Sequence, residues 1–283
     1  MCGITGYCGE EIRSRVLVRR LAGQLQRGQS GFGLARARPV GLSLWHSLHL
    51  EELPLDVRLE TAIAHNRLPS TGEVSVANCH PFLACDGQVA VVHNGHIAGW
   101  EVQRAKLQQA GHHFTSTVDS EVLAHTLEDL PELTPATVLD CLLKVGGQAT
   151  IAVLDSRRPW QLLLARGSGA PVFHVTGQRG ASFASESAVL ANSGPEFGTA
   201  VAELPPWTAV TLAGAGVWEQ ATVIPPVWTH WEPEWRKTSR QDLALNVRPL
   251  HRSNNPLAPN SPLAAWAAAT RDWFWEDGVL HRG

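Results

Sequence analysis

Most of the chain alternates short β-prone runs with a few stretches of helical spacing. Residues 3–8 are small and β-prone and predict a strand starting almost at the terminus. Ile12, Val16, Leu17, Leu21 and Leu25 fall mostly three to five apart. That spacing predicts an amphipathic helix over 12–26, stopped by Arg27-Gly28. Short strands follow at 32–37, 41–46, 61–66 and 88–93, each bounded by Gly, Pro or Asp. Helices are predicted from about 98 to 110, then after Asp119 or Ser120 through Val122, Leu123, Thr126 and Leu127, and over 135–145 with Pro135 in the first turn. Strands return at 148–155, 160–166, 172–176, 181–185 and 208–213. Strands and helices come in blocks rather than in strict alternation, which favours an α+β fold over a doubly wound sheet.

The pattern changes near residue 220. Residues 225–260 carry Pro225-Pro226, Pro233, Pro249, Pro256 and Pro259 with little periodicity and read as an extended arm. Ser261-Pro262 then resembles an N-cap and first helical position, opening a short helix through about 275. The division expected is a domain over 1–219 and an arm with a C-terminal helix over 220–283. This second part is rich in tryptophan: Trp228, Trp231, Trp235, Trp266, Trp273 and Trp275, with Trp218 just before it. An irregular arm cannot bury so many rings by itself, so they pack on their own domain or on a partner.

Composition narrows the function classes. The 283 residues are 44% hydrophobic, enough for a real core, and 17% charged, below the roughly 25% of ordinary globular domains. The net charge of -3 supplies no basic field for nucleic acid, so no nucleic-acid partner is expected. No apolar run approaches a membrane span and the start is not a secretory signal, which points to a cytoplasmic protein without a membrane partner. Five cysteines with no CxxC pair argue against a disulfide framework and against a structural zinc site. Cys8, Cys79, Cys85 and Cys141 read as small buried residues. His80, His93, His96 and His125 show no HxH or HExxH spacing, so no metal and no cofactor is expected.

Cys2 differs from the other cysteines by position. Were Met1 removed, its thiol would sit beside its own α-amine, whose reference pKa of about 7.7–8.0 suits it to take the thiol proton. Further segments follow in order: Cys2-Gly3-Ile4-Thr5-Gly6, Arg27-Gly28-Gln29-Ser30-Gly31-Phe32-Gly33, His65-Asn66-Arg67 with Ser70-Thr71-Gly72-Glu73, Asn78-Cys79-His80-Pro81-Phe82, Val92-His93-Asn94-Gly95-His96-Ile97, and Asp119-Ser120-Glu121 leading to Ala124-His125. Over about residues 2–215 this series resembles the glutaminase domain of class II glutamine amidotransferases, in the branch of glucosamine-fructose-6-phosphate aminotransferase.

The resemblance implies a four-layer αββα N-terminal nucleophile fold with stacked antiparallel sheets, L-glutamine as substrate and Cys2 as nucleophile. It assigns Asn94 and Gly95 to the oxyanion hole, a role compatible with an Asn-Gly hairpin turn. Arg67 would bind the α-carboxylate with its planar fork, and Asp119 the α-ammonium, although a helix N-cap also explains Asp119. Ser70 and Thr71 fall in the loop that closes over glutamine, and Arg27 and Gly28 support the N-terminus. Departures occur in this loop: Leu68-Pro69-Ser70-Thr71-Gly72 looks more like the amidophosphoribosyltransferase branch, and Pro69 stiffens it. Ser30-Gly31-Phe32 also replaces the family's Asp-Ser-Ala. Residues 220–283 are too few for a synthase domain, so ammonia is expected to pass to a separate protein subunit, docked through the Trp-rich arm. A stand-alone amidohydrolase of a γ-glutamyl amide and a non-catalytic scaffold are the alternatives.

Overall fold

The computed structural model describes residues 2–146, 148–214 and 216–223, with the strands 245–248, 273–276 and 279–282. The strands in chain order are β1 (Gly3–Arg13), β2 (Phe32–Arg38), β3 (Gly41–Ser47), β4 (Arg58–Asn66), β5 (Phe82–Leu83), β6 (Val89–Gly95), β7 (Ala149–Asp155) and β8 (Gln161–Arg166). They continue as β9 (Phe173–Gly177), β10 (Gly180–Ala184), β11 (Ala202–Glu203), β12 (Thr208–Ala213), β13 (Gly216–Val223), β14 (Leu245–Arg248), β15 (Trp273–Glu276) and β16 (Val279–Arg282). The helices are α1 (Arg15–Ala22), α2 (Trp100–Gln109), α3 (Glu121–Glu128), α4 (Pro135–Lys144) and α5 (Ser187–Ala191).

Among the described residues two seven-stranded sheets form, in the orders β11-β9-β10-β1-β4-β2-β3 and β14-β13-β12-β8-β7-β6-β5, and β15 pairs with β16 separately. Every pairing is antiparallel. The α+β reading therefore holds, with the sheets stacked as expected. Alternation along the strands makes the layers. In β1, Ile4 and Cys8 join Ile63, Phe183, Val92, Ala152, Leu164 and Val210 in the core between the sheets. Tyr7, one step out of phase, packs with Leu17, Leu21, Ala62 and Ala64 under α1. In the second sheet Ala90 and Val92 face the first sheet, while Val91, Ile151 and Val153 face α3 and α4 through Leu123, Leu127, Leu139 and Leu142. The result is helices, sheet, sheet, helices. A solvent-facing antiparallel sheet would need only one apolar face; here both faces of β1 and β6 are apolar because both are covered.

Several local expectations shift. The predicted 12–26 helix begins at Arg15, because β1 runs on to Arg13. It ends at Gly23, and a short 3-10 turn, Leu25–Arg27, follows. Gly28 is extended, with φ 171°, and is not a left-handed cap. It is a point of close approach, since a Cβ there would lie 2.4 Å from the Arg67 carbonyl carbon. α4 begins as read, with Pro135 in the first turn and a Thr134–Thr137 capping box. The second sheet continues through β13 to Val223, and β14 pairs with β13. The C-terminal helix expected through about 275 meets a strand at its far end. Trp273–Glu276 is a strand, as its aromatic run favours, and residues 261–272 lie outside the described residues.

Phe183 is fully buried between the sheets and closes over Gly6, where a Cβ would lie 2.2 Å from its ring. Phe183→Ala should cost about 3–5 kcal/mol of stability in urea denaturation. Val102→Ala, on the exposed face of α2, should stay within about 0.5 kcal/mol.

Candidate active site

The alternation that builds the inter-sheet core also brings Cys2 and Asn94 together. Cys2 is in phase with Ile4 and Cys8, and Asn94 with Ala90 and Val92, so both emerge at one end of the same layer. The buried Asn94 amide donates to the Cys2 carbonyl at 2.9 Å. Arg27 donates to the same carbonyl at 2.8 Å through Nε, and its Nη1 pairs with Glu186 at 2.7 Å. The backbone of Cys2 is thus clamped from the second sheet and from the turn after α1. Its Sγ lies 3.3 Å from the Leu68 amide nitrogen and 3.4 Å from the Leu68 carbonyl oxygen. Burial pushes the thiol's pKa up, while the Leu68 backbone and the Arg67 charge pull the other way.

Asn94 and Gly95 are still in β6, paired with Thr150 and Ala149, so they are not the hairpin turn that the dipeptide favours. Gly95 has φ +148°, and a Cβ there would lie 2.0 Å from the Gln148 carbonyl oxygen. Only glycine fits, which leaves its backbone exposed beside Asn94.

Arg67 follows β4 directly and is buried. Its guanidinium is not a free fork: Nη1 donates to the Glu73 carbonyl at 2.8 Å, and Nη2 to those of Thr71 at 2.6 Å and Gly72 at 3.4 Å. It shapes the loop over residues 68–73. Asp119, also buried, meets that loop from the other side. It accepts the Thr71 hydroxyl at 3.1 Å and the Ile97 N–H at 3.0 Å, and His96 Nδ1 lies 3.5 Å away. The N-cap position of α3 belongs to Ser120, and the Asp119 side chain does not cap the helix. Ser70 is exposed at the loop's tip.

The structure also enlists residues to which the motifs assign no role. Glu186, just after β10, neutralises Arg27. Asn66 donates to the carbonyls of Gln24 and Gly28, both at 2.9 Å, and Gln24 donates to the Ile4 carbonyl at 3.3 Å. These tie β1, β4 and the segment after α1 into one frame. No spacing announces them, because their partners are distant in the chain.

Behind the site lies a group of buried imidazoles. His65 stacks on His80 with ring centroids 4.0 Å apart, and His80 packs edge-on against Phe82 at 4.5 Å. His93 places Nδ1 2.8 Å from the Ser120 hydroxyl. Burial lowers all three pKa values, to about 3 for His65, about 4 for His93, and well below the usual range for His80. Around Cys2 these side chains do not converge on a metal position. Among the described residues the His, Cys, Asp and Glu side chains that do converge are Cys85, His112, His125 and Glu128, elsewhere in the domain. No helix of the described residues is long and apolar enough to cross a membrane.

Comparison with known proteins identifies relatives of this chain. Residues 65–192 match the glutamine amidotransferase domain family. The isomerizing glutamine–fructose-6-phosphate aminotransferase of Thermotoga maritima is 34% identical over 187 residues, covering 61% of this chain and 29% of that protein. The Helicobacter pylori enzyme of the same name is 32% identical over 208 residues, covering 70% of this chain and 34% of its own. The chain carries a class II glutamine amidotransferase domain. It spans about a third of the length of these relatives. The structure of glutamine phosphoribosylpyrophosphate amidotransferase from B. subtilis superposes with a TM-score of 0.61 at 20% identity, over 76% of this chain and 48% of that one, which shows the shared fold.

The neutral imidazoles make a pH prediction. With folded pKa values below the unfolded value of about 6.5, their contribution to stability is fully present above pH 6.5 and lost as the pH falls toward about 4 and 3. The urea midpoint should drop between pH 7 and pH 5, and His80→Phe, which keeps a ring in the stack, should reduce that drop.

Proposed function

We propose that this amidotransferase domain hydrolyses the side-chain amide of L-glutamine, with Cys2 as nucleophile once Met1 has been removed. The observation that supports this reading is the hydrogen bond from the Asn94 amide to the Cys2 carbonyl, which ties the Asn94-Gly95 end of β6 to the residue that carries the thiol. A thiol whose pKa is raised by burial is protonated at neutral pH, so a base must take its proton. The freed α-amine of Cys2 is that base. The thiolate attacks the amide carbon, and the tetrahedral oxyanion is stabilised by Asn94 and the Gly95 N–H. The Asn94 amide carries two N–H bonds and spends one on the Cys2 carbonyl. The C–N bond then breaks as the proton passes to leaving ammonia, and water hydrolyses the γ-glutamyl thioester to glutamate.

Arg67 and Asp119 are assigned to the amino-acid end, with Ser70 and Thr71 in the loop between them. In this state the Arg67 fork is filled by loop carbonyls, so a carboxylate would take their place and the loop over 68–73 would rearrange as it binds. Ammonia is proposed to pass to a separate protein subunit. The Trp-rich arm over 220–283 is its proposed dock, and Trp228, Trp231, Trp235 and Trp266 lie outside the described residues.

The kinetics of ammonia release test the roles separately. Cys2→Ala should abolish both release and labelling by a glutamine analogue with an electrophile at the amide position, whereas Cys8→Ala should keep the label. Persistent labelling of Cys2→Ala would remove the nucleophile assignment. Intact mass should show Met1 gone from active protein. Asn94→Ala should lower kcat about 10²–10³-fold with little change in KM. Arg67→Lys loses charged hydrogen bonds of about 1.5–3 kcal/mol and should raise KM roughly 10- to 150-fold. Asp119→Asn should weaken discrimination against amides lacking the α-ammonium. A rise in KM alone for Asn94→Ala would sink the oxyanion role.

A further inference from the structure

A second cluster lies on the helical side of the second sheet, away from Cys2. The turn between β5 and β6 carries Cys85, the segment after α2 carries His112, and α3 carries His125 and Glu128 one turn apart on a common face. Their donor atoms all lie within 4.8 Å of one another. Cys85 Sγ is 3.4 Å from His125 Nδ1, and Glu128 Oε1 is 2.8 Å from His125 Nδ1 and 2.7 Å from His112 Nδ1. His125 is buried, and the Glu128 side chain is 7% exposed.

Protons satisfy this arrangement only if both rings are charged. Each imidazole faces carboxylates with both ring nitrogens. His112 Nε2 is 3.2 Å from Asp129 Oδ2, and His125 Nε2, which is buried without a hydrogen bond, faces Glu121 Oε1 at 3.7 Å. A neutral imidazole has one N–H, so one lone pair on each ring would point at a carboxylate oxygen. Avoiding this with protons requires two adjacent imidazolium ions, their ring centroids 5.3 Å apart.

A cation removes the conflict. We propose that Cys85, His112, His125 and Glu128 form a structural zinc site. Each histidine would ligate through Nδ1 and turn its Nε2–H to a carboxylate, Asp129 or Glu121, the outer-sphere pairing usual for metal-bound histidine. One thiolate and one carboxylate balance the charge of Zn²⁺, and a Cys/His/His/Glu set suits its borderline softness. With bonds of about 2.0–2.3 Å, tetrahedral ligands stand roughly 3.3–3.8 Å apart, so the close pairs must open by less than about 1 Å and the widest, within 4.8 Å, must close by at most about 1.5 Å. The remaining oxygen of Glu128 is already oriented by the Asp86 N–H at 3.1 Å, and Glu121 is fixed by the backbone N–H groups of Thr115 at 2.7 Å and Ser116 at 2.8 Å. Four protein ligands leave no open position, so the ion is structural. It joins the β5–β6 turn and the segment after α2 to α3, the helix that follows Asp119.

The test is metal content of the full chain after incubation with Zn²⁺ and gel filtration. About one zinc per chain is expected, falling at least about tenfold in Cys85→Ser and in His112→Ala. His113→Ala, an exposed neighbour, should retain it. Substitution by Co²⁺ should give a near-ultraviolet thiolate-to-cobalt charge-transfer band that Cys85→Ser removes. Zinc should also raise the thermal midpoint of the chelator-treated chain but not of Cys85→Ser. If the full chain retains no zinc, or if Cys85→Ser and His112→Ala retain as much as it does, the site is an imidazolium–carboxylate cluster and the proposal is wrong.

Discussion

Two antiparallel sheets can share a face only if the inward side chains of both keep a strict alternation. In this chain that alternation fixes where Cys2 and Asn94 end up. β1 is an interior strand, paired with β10 on one side and β4 on the other, so it cannot slip by one residue without turning Ile4 and Cys8 out of the core. β6 is held in the same way between β5 and β7. The Asn94 bond to the Cys2 carbonyl therefore spans two sheets whose registers are each set elsewhere. Arg27 and Glu186 add a clamp from the first sheet's own side. The site is only as well ordered as the stacking beneath it.

Burial governs the electrostatics of the region. It keeps the Cys2 thiol protonated and holds the imidazoles of His65, His80 and His93 neutral. Besides the Arg27–Glu186 pair, the site holds Arg67 and Asp119, and each is surrounded by hydrogen bonds that suit it: carbonyls around the guanidinium, and an N–H and hydroxyls around the carboxylate. Neutral histidines behind the site avoid adding positive charge next to a buried arginine, and they fill space at the end of the sheets as aromatic rings would.

Much of this was legible in the sequence because strands with turns between them leave a clear record. The block pattern of strands and helices gave α+β, and the ordered motifs picked out the residues that gather around Cys2. Boundaries failed where tertiary pairing overrode local pattern: Ile12 looks like the start of a helix, yet it lies in β1, paired with Leu59 of β4. In the sequence Cys85 reads as a small buried residue, but it is exposed in a turn. Its neighbours in space, His112 and His125, come from elements that only the packing of α3 on β5 and β6 brings together. No ligand spacing exists in the sequence to reveal such a group. Glu186 was equally silent, since its only distinction is to follow the strand that flanks β1.

Arg67 illustrates how one residue can be read correctly by type and incompletely by role. A buried guanidinium beside a thiol suits a carboxylate, but here its donors are satisfied by the backbone of residues 71–73. Left without those carbonyls it would be a buried cation short of partners, which is costly. Under the proposed function, a ligand's carboxylate must replace them, so part of its binding energy is used to move the loop. Thr71 gives the same loop a second hold on Asp119. A ligand that engages Arg67 and Asp119 together would therefore release both holds at once, whereas one lacking either charge would leave the loop anchored. On that reading, discrimination against incomplete ligands comes from the intramolecular bonds they fail to displace as well as from the contacts they fail to make.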